Sequence, residues 1–264
     1  MSRENGVRWD PAQYGVFGGA RARPFAELVA RLGDAAPARV ADLGCGTGEL
    51  TATLAARWPG ARIDALDSSP DMIREARRHE IPGRLSFRVA DVTTWKPDAP
   101  VDLIVSNAVL HWVPEHPDLL PRWIDALAPG GRLAFQVPGN FDAPSHVLLR
   151  ELGRSDRWRA KLGHLQLDAP VLDPAGYLDL LARHGCAVDA WETTYAQVLH
   201  GEDPVLEWVK GTALRPVLMA LDPDEAGEFL AAYRERLRQA YPAAPYGTVF
   251  PFRRIFVIAT RNTT

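Results

Sequence analysis

Short apolar runs alternate with amphipathic stretches through the first half of the chain, which predicts strands that alternate with helices. Strands are expected at residues 39–43, 61–66, 85–90, 101–107 and 132–137. Helices are expected at residues 49–58, 70–79 and 117–127. Ser69 has the character of an N-cap, because Pro70 and Asp71 follow it as a first-turn proline and a first-turn acid. Such alternation indicates an α/β fold with a doubly wound, mostly parallel sheet.

The pattern changes after Pro138. Further helices are expected at 144–162, 174–184 and over most of 202–241, and strands at 187–199 and 248–260. The strands 187–199 and 248–260 enclose a helical insertion, which suggests that they form a hairpin at the sheet edge. The sheet would then have seven strands, and the inserted helices would form a lid. We therefore expect one domain, residues 1–264. Its core would be 33–140, 171–200 and 247–264, and its lid 1–32, 141–170 and 201–246; the segment 9–32 has a helical pattern.

Composition narrows the class of protein. The 264 residues are 47% hydrophobic and 24% charged, as in soluble globular proteins, and the formal net charge is −3. A nucleic acid is therefore not an expected partner. No apolar run could span a membrane or act as a signal peptide, and no metal-ligand spacing or obligate protein partner is indicated. Cys45 and Cys186 form no motif, so we expect a reducing compartment, the cytoplasm.

A glycine-rich turn follows the first predicted strand and opens a helix. Asp42 starts the sequence DLGCGTG, whose glycines are Gly44, Gly46 and Gly48. Glycines there let a ligand approach the backbone at a helix N-terminus, although they could also serve tight packing. A dinucleotide turn is GxGxxG, whereas here Glu49 stands where the last glycine would be. This acid disfavours a pyrophosphate, and hence an NAD-dependent oxidoreductase, which stays an alternative.

Polar residues also end the other strands. Asp67 could accept hydrogen bonds from ribose hydroxyls, of NAD as readily as of another nucleoside. Asp91 could accept from an adenine amino group beside the apolar Val92, or could merely cap a turn. Because parallel strands end on one edge of a sheet, these side chains should meet there, together with those of Asn107 and Gln136.

The motifs VADLGCGTG, ALDSSPDMI, VADV and LAPGGRLAFQVP resemble those of class I methyltransferases, which have a Rossmann-like fold. Longer segments, among them SNAVLHWVPEHPDLLPRW, QVPGNFDAPSHVLLREL and FPFRRIFVIA, resemble the trans-aconitate 2-methyltransferase family over nearly the whole chain. The resemblance implies S-adenosylmethionine as cofactor, S-adenosylhomocysteine as product, and a carboxylate of trans-aconitate as acceptor. It implies these cofactor contacts: Asp42, Gly44, Gly46 and Gly48 for the methionyl part, Asp67 for ribose, Asp91 and Val92 for adenine, and Asn107 through its backbone.

A carboxylate acceptor is ionised near neutral pH, so its methylation needs orientation and no catalytic base. Arginines and aromatic side chains are the groups expected to hold a small polycarboxylic acid near a sulfonium. The candidates are Tyr14, Arg21, His111, Trp112, Tyr195, Arg215 and Arg253. Arg253 and Arg254 are neighbours on a strand and point to opposite faces, so at most one is expected to face the site. If the acceptor were instead a hydroxyl or amine of another metabolite, His111 could act as a base.

Overall fold

A computed structural model of the chain describes residues 18–165, 167 and 171–263, with side chains from residue 22 onward. Two compact units emerge from its internal contacts. The sheet unit contains the described residues of 18–138, 171–193 and 254–263. The helical unit contains those of 139–167 and 194–253. The predicted helix over 9–32 is described only from residue 18.

A central sheet organises the first of these units. Its strand order is β3-β2-β1-β4-β5-β8-β6, and the two-residue β7 pairs with β8. The strands are β1 Arg39–Leu43, β2 Arg62–Asp67, β3 Leu85–Val89, β4 Val101–Asn107, β5 Leu127–Pro138, β6 Cys186–Leu199, β7 Ala243–Ala244 and β8 Gly247–Arg261. Strands β1 to β5 pair in parallel, and β8 pairs with β5 in the antiparallel direction. The doubly wound, mostly parallel sheet is thus confirmed, as is the adjacency of the last two long strands.

Helices connect these strands. They are α1 Gly18–Ala30, α2 Glu49–Arg57, α3 Pro70–Ala76, α4 His116–Asp125, α5 Pro144–Arg154, α6 Arg159–Leu162, α7 Pro174–Arg183, α8 Pro204–Lys210, α9 Arg215–Ala220 and α10 Pro223–Ala240. Single-turn 3₁₀ helices occupy Arg77–His79 and Leu110–Trp112. Ser69 is the N-cap of α3, and its side chain accepts a hydrogen bond from the Met72 amide. None of the described helices is long and apolar enough to cross a bilayer.

Successive side chains of β5 and β8 point to opposite faces of the sheet. Leu133, Phe135 and Val137 of β5 and Ile255, Val257 and Ala259 of β8 pack into one apolar core with residues of α4 and α7. Arg132 of β5 and Phe256 of β8 lie on the opposite face, toward α1. There Arg132 donates to the Leu32 carbonyl at 2.9 Å. The ring of Phe256 stacks on Trp191, whose indole N–H donates to Glu27 of α1. Each face therefore has its own helical layer.

The helical unit has a separate aromatic core. Phe229 and Tyr233 of α10 are fully buried, and Trp158 packs edge-on against Phe229. The Tyr233 hydroxyl donates to the Ser145 carbonyl, and the Tyr241 hydroxyl accepts from the Ser145 amide. These bonds join the start of α5 to α10 and satisfy backbone groups that would otherwise be buried unpaired.

Candidate active site

The glycine turn joins β1 to α2, and each of its glycines is required for a different reason. Gly44, Gly46 and Gly48 all have positive φ, at 89°, 56° and 77°. A Cβ at Gly44 would overlap Val109, and one at Gly48 would lie 2.9 Å from Ala76 and Phe87. A Cβ at Gly46 would meet no atom of the described residues within 4 Å, so among them this position borders open space. The turn is thus packed on two sides and accessible at its centre.

Asp42 lies buried beneath that turn. Its carboxylate accepts a 2.6 Å hydrogen bond from the Thr51 hydroxyl on α2. Burial raises the pKa of Asp42 to about 7; the Thr51 hydrogen bond opposes this rise and the charge of Asp67 adds to it. Because the carboxyl group bonds to α2, its evident structural role is to fix the start of that helix.

Asp67 ends β2 with both of its carboxylate oxygens held by backbone amides. One oxygen accepts from Gly46 at 3.0 Å, and the other from Ser69 at 2.9 Å. Burial raises the pKa of Asp67, and these backbone hydrogen bonds counteract the rise. A carboxylate offers about four acceptor sites, so Asp67 keeps acceptor capacity for a ligand hydroxyl. The two oxygens therefore suit the vicinal hydroxyls of a ribose.

Asp91 and Val92 follow β3. One oxygen of Asp91 accepts from both the amide and the hydroxyl of Thr93 at 2.8 Å, so the residue does shape a turn. Its side chain is exposed, whereas Val92 is buried. An adenine role for this pair stays a prediction, and the local turn is the contact present.

The strand order reverses between β1 and β4, and Val109, which follows β4, packs against Gly44 of the glycine turn. Asn107 and Gln136 are register partners at this edge. Ala108 has φ of 56°, unusual for a residue other than glycine, and its amide donates to the Gln136 carbonyl at 2.8 Å. Strained backbone of this kind is often found at ligand sites. Ligands bind at such reversal points in open α/β sheets, so this edge is the candidate cofactor site.

The predicted acceptor residues fall into three groups. His111 and Trp112 lie in the 3₁₀ helix after β4, with ring centroids 4.7 Å apart, and Trp112 is exposed. Tyr195, Arg215 and Arg253 belong to the helical unit, where Tyr195 is buried and Arg253 donates to the Gly139 carbonyl at 3.2 Å. Tyr14 and the side chain of Arg21 lie outside the described residues.

Two residues at the same edge were not among the ligand contacts chosen from the sequence, although Arg254 was the alternative to Arg253. Gln136 was noted only as a strand-end residue, yet it is just 1% exposed. Arg254 is 7% exposed, so it is not the solvated member of its pair with Arg253. Their signal was present in the alternation of β5 and β8, where each occupies an inward-facing position that an apolar residue would normally fill.

Independently of the family resemblance, the residues at this edge of the sheet fit S-adenosylmethionine. Gly46 borders space that a side chain would fill, and Asp67 has acceptor sites left for a diol. Glu49, whose position argues against a pyrophosphate, pairs with Arg78 at 2.8 Å on the exposed side of α2. Among the described residues there is no cluster of metal-ligating side chains.

Comparison with known proteins assigns the class. The family model described as a methyltransferase domain matches residues 17–190. A Haemonchus contortus phosphoethanolamine N-methyltransferase, solved with S-adenosylhomocysteine, has a TM-score of 0.55 at 15% identity, covering 91% of this chain and 52% of its own. The [4+2]-cyclase SpnF has a TM-score of 0.57 at 17% identity, covering 97% and 87%. The similarity to solved structures shows only the fold, whereas the match to the family model shows that the chain is a methyltransferase.

Curated relatives then assign the family. The trans-aconitate 2-methyltransferase of Streptomyces avermitilis is 58% identical, with 96% of this chain and 97% of the relative covered. Those of Rhodococcus jostii and Mycobacterium tuberculosis are 52% and 48% identical, each with at least 95% of both chains covered. The chain belongs to the trans-aconitate 2-methyltransferase family, and it is an S-adenosylmethionine-dependent enzyme. The oxidoreductase alternative is not favoured.

Proposed function

We propose that this enzyme esterifies one carboxylate of trans-aconitate, a small polycarboxylic acid, to give the monomethyl ester. The observation that carries the proposal is the 58% identity to a relative of that name, which extends over both structural units and not only over the cofactor-binding motifs.

At the cofactor end, Asp67 would hold the ribose, Asp91 and Val92 the adenine, and the turn from Gly44 to Gly48 the methionyl part. When bound, S-adenosylmethionine would supply an electrophilic methyl group for transfer to the acceptor oxygen. Gly46 suits a position beside this ligand, because its backbone faces open space and its amide fixes Asp67.

At the acceptor end, the enzyme needs to hold one oxygen in line with the methyl carbon. A carboxylate has a reference pKa of about 4, so no residue has to remove a proton. Positioning alone can contribute roughly 7–11 kcal/mol to such a reaction. The proposed acceptor residues are Tyr14, Arg21, His111, Trp112, Tyr195, Arg215 and Arg253.

The direct test is incubation with methyl-labelled S-adenosylmethionine and a panel of trans-aconitate, cis-aconitate, citrate and isocitrate. We expect a base-labile labelled ester, formed most rapidly from trans-aconitate. His111→Ala separates a carboxylate from a hydroxyl acceptor. We expect at most a modest loss of kcat, whereas a loss of three orders of magnitude with acceptor binding retained would indicate base catalysis. No ester with any of these acids would refute the proposal.

We also propose a cytoplasmic location and a small acid as the only obligate partner besides the cofactor. Both cysteines are free thiols, Cys45 buried within the glycine turn and Cys186 at the start of β6. Free buried thiols suit a reducing compartment.

A further inference from the structure

Two amide side chains lie next to each other where β4 and β5 end. Asn107 of β4 and Gln136 of β5 are register partners, and register partners on parallel strands point to the same face of a sheet. This is the face toward α1, because Gln136 is also the register partner of Phe256. Neighbouring strands are about 4.8 Å apart, so one small ligand group can reach both amides.

Each of these amides lacks a hydrogen bond that its burial requires. The Oδ1 of Asn107 and the Nε2 of Gln136 are buried, and neither has a partner in the part of the chain that the structure describes. The two atoms do not bond to each other either, although one accepts and the other donates. Gln136 as a whole is only 1% exposed. Buried polar atoms without a partner are rare in native proteins, and a missing ligand accounts for such a pair.

The amides of the glycine turn are already engaged within the protein. Those of Gly44 and Cys45 both donate to the Leu66 carbonyl, at 2.8 and 2.9 Å, and that of Gly46 donates to Asp67. These three donors are therefore not available to a carboxylate of the cofactor. The turn can pack along the methionyl chain, but its carboxylate has to find donors on other residues.

The amino-acid end of S-adenosylmethionine carries an ammonium and a carboxylate on one carbon. An ammonium only donates and a carboxylate only accepts, so the two groups match the Oδ1 of Asn107 and the Nε2 of Gln136. The strand order also fits, because β4 is two strands from β2, about 10 Å across the sheet, and β5 is one strand further. A chain that extends from a ribose at Asp67 past β1 therefore reaches β4 first and β5 next.

We propose that Asn107 and Gln136, the amide pair, bind the amino-acid end of S-adenosylmethionine. The Oδ1 of Asn107 accepts from the ammonium, and the Nε2 of Gln136 donates to the carboxylate. The family resemblance implied only a backbone contact for Asn107 and none for Gln136, so both side-chain roles go beyond it. The inference rests on the cofactor half of the proposed function and does not depend on which acid is methylated.

Calorimetric titration with four ligands tests the carboxylate contact. The ligands are S-adenosylhomocysteine, its analogue without the carboxylate, its analogue without the ammonium, and methylthioadenosine, which lacks both groups. Gln136→Met keeps the size of the side chain and removes the donor. Because hydrogen bonds to charged groups are the stronger ones, we expect the Kd for both ligands that carry the carboxylate to rise at least about tenfold. The Kd for the other two should change less than about twofold.

Asn107→Leu tests the ammonium contact in the same way. We expect its Kd to rise at least about tenfold for the two ligands that carry the ammonium, and less than about twofold for the two that lack it. The matched controls are Gln239→Met and Asn262→Leu, which replace exposed amides on α10 and after β8. Both controls should bind all four ligands as the wild type does.

Gln136→Glu supplies a second variant of the donor, which serves also if Gln136→Met does not fold. A carboxylate at this position would repel the carboxylate of the ligand. We therefore expect Gln136→Glu to weaken binding of the analogue without the ammonium and to spare the analogue without the carboxylate.

An equal loss of affinity for all four ligands in Gln136→Met and Asn107→Leu would overturn the proposal, because it would indicate a packing role. Wild-type affinity in both folded variants would overturn it as well. Failure of the wild type to bind S-adenosylhomocysteine is a different result: it refutes the cofactor site, and the amide pair with it. Failure to esterify trans-aconitate would refute the proposed acceptor and leave the amide pair intact.

Discussion

At the residue scale, the three glycines of the turn share a positive φ but differ in what surrounds them. We expect Gly44→Ala to destabilise the protein by about 2–5 kcal/mol, because a left-handed alanine costs roughly 1–2 kcal/mol and the overlap with Val109 costs roughly 1–3 more. Gly46→Ala should incur only the first of these costs, since no atom of the part of the chain that the structure describes lies within 4 Å of the new Cβ. Urea unfolding of the two variants measures the difference.

The double variant Gly44→Ala/Val109→Ala is the control for this explanation. Removing the two methyl groups of Val109 should relieve the overlap, so the pair should be more stable than the sum of the single changes predicts. Equal destabilisation by Gly44→Ala and Gly46→Ala would show that backbone conformation alone governs the turn.

Asp42 predicts a pH dependence of stability. Its pKa rises from 3.8 to about 7 on folding, so between these values the folded state binds the proton more tightly than the unfolded state. The free energy of unfolding should therefore contain a contribution that decreases as the pH rises from about 4 to 7 and then stays constant. Asp42→Asn removes this contribution and can still accept the Thr51 hydrogen bond.

Thermal unfolding of wild type and Asp42→Asn at pH 4, 5.5 and 7 tests this. The Tm of the variant relative to wild type should increase with pH. Asp64→Asn on β2, whose side chain accepts from the Ser86 hydroxyl at the surface, serves as the control and should show no such trend. A Tm difference independent of pH would contradict a raised pKa at Asp42.

At the element scale, local sequence was sufficient where an element is defined by its own pattern. The strands β1 and β4 have the predicted bounds, and Ser69 caps α3 as expected. The predicted helix over 144–162 was wrong in one respect, because it breaks into α5 and α6. Ser155 takes an extended conformation there, and its hydroxyl bonds back to the Leu152 carbonyl, an alternative to the helical bond that serine commonly provides.

The cap of α10 is a prediction at the same scale. Asp222 accepts from the Glu225 amide at 3.0 Å, and the Glu225 side chain accepts from the Asp222 amide, which forms a capping box. Asp222→Ala should destabilise the helical unit by about 1 kcal/mol, and hydrogen exchange should accelerate first in the first turn of α10. Asp224→Ala, an acid in the same turn without a capping bond, should have a smaller effect, and an equal effect would assign the stabilisation to charge alone.

At the scale of the whole molecule, sequence predicted the strand-end site because parallel strands have to end at one edge, whatever their exact bounds. Asp67 and Asn107 lie at the ends of their strands for that reason. It did not predict that Gln136 and Arg254 lie near each other, because that depends on the register between β5 and β8, strands separated by more than a hundred residues. No local pattern encodes which residue of one strand stands opposite which residue of the other.

The cofactor should couple to the stability of the sheet unit, since its proposed contacts come from loops after several strands. A ligand that binds only the folded state at a hundred times its Kd stabilises it by about 2.7 kcal/mol. With S-adenosylhomocysteine we therefore expect a higher Tm and slower hydrogen exchange at the amides of Gly46 and Ser69, which hold Asp67. NAD at the same concentration should produce neither effect.

Asp67→Asn identifies the residue responsible for that coupling. The amide retains one acceptor oxygen and replaces the other with a donor, so a ribose diol loses one of its two partners and the Ser69 or Gly46 amide loses its acceptor. We expect at least a tenfold increase in the Kd for S-adenosylhomocysteine by calorimetric titration, about 1.4 kcal/mol, with Asp64→Asn unchanged. Wild-type affinity in Asp67→Asn would mean that the ribose binds elsewhere on the edge. Because the acceptor acid does not enter this measurement, the result concerns the cofactor site whichever carboxylate the enzyme methylates.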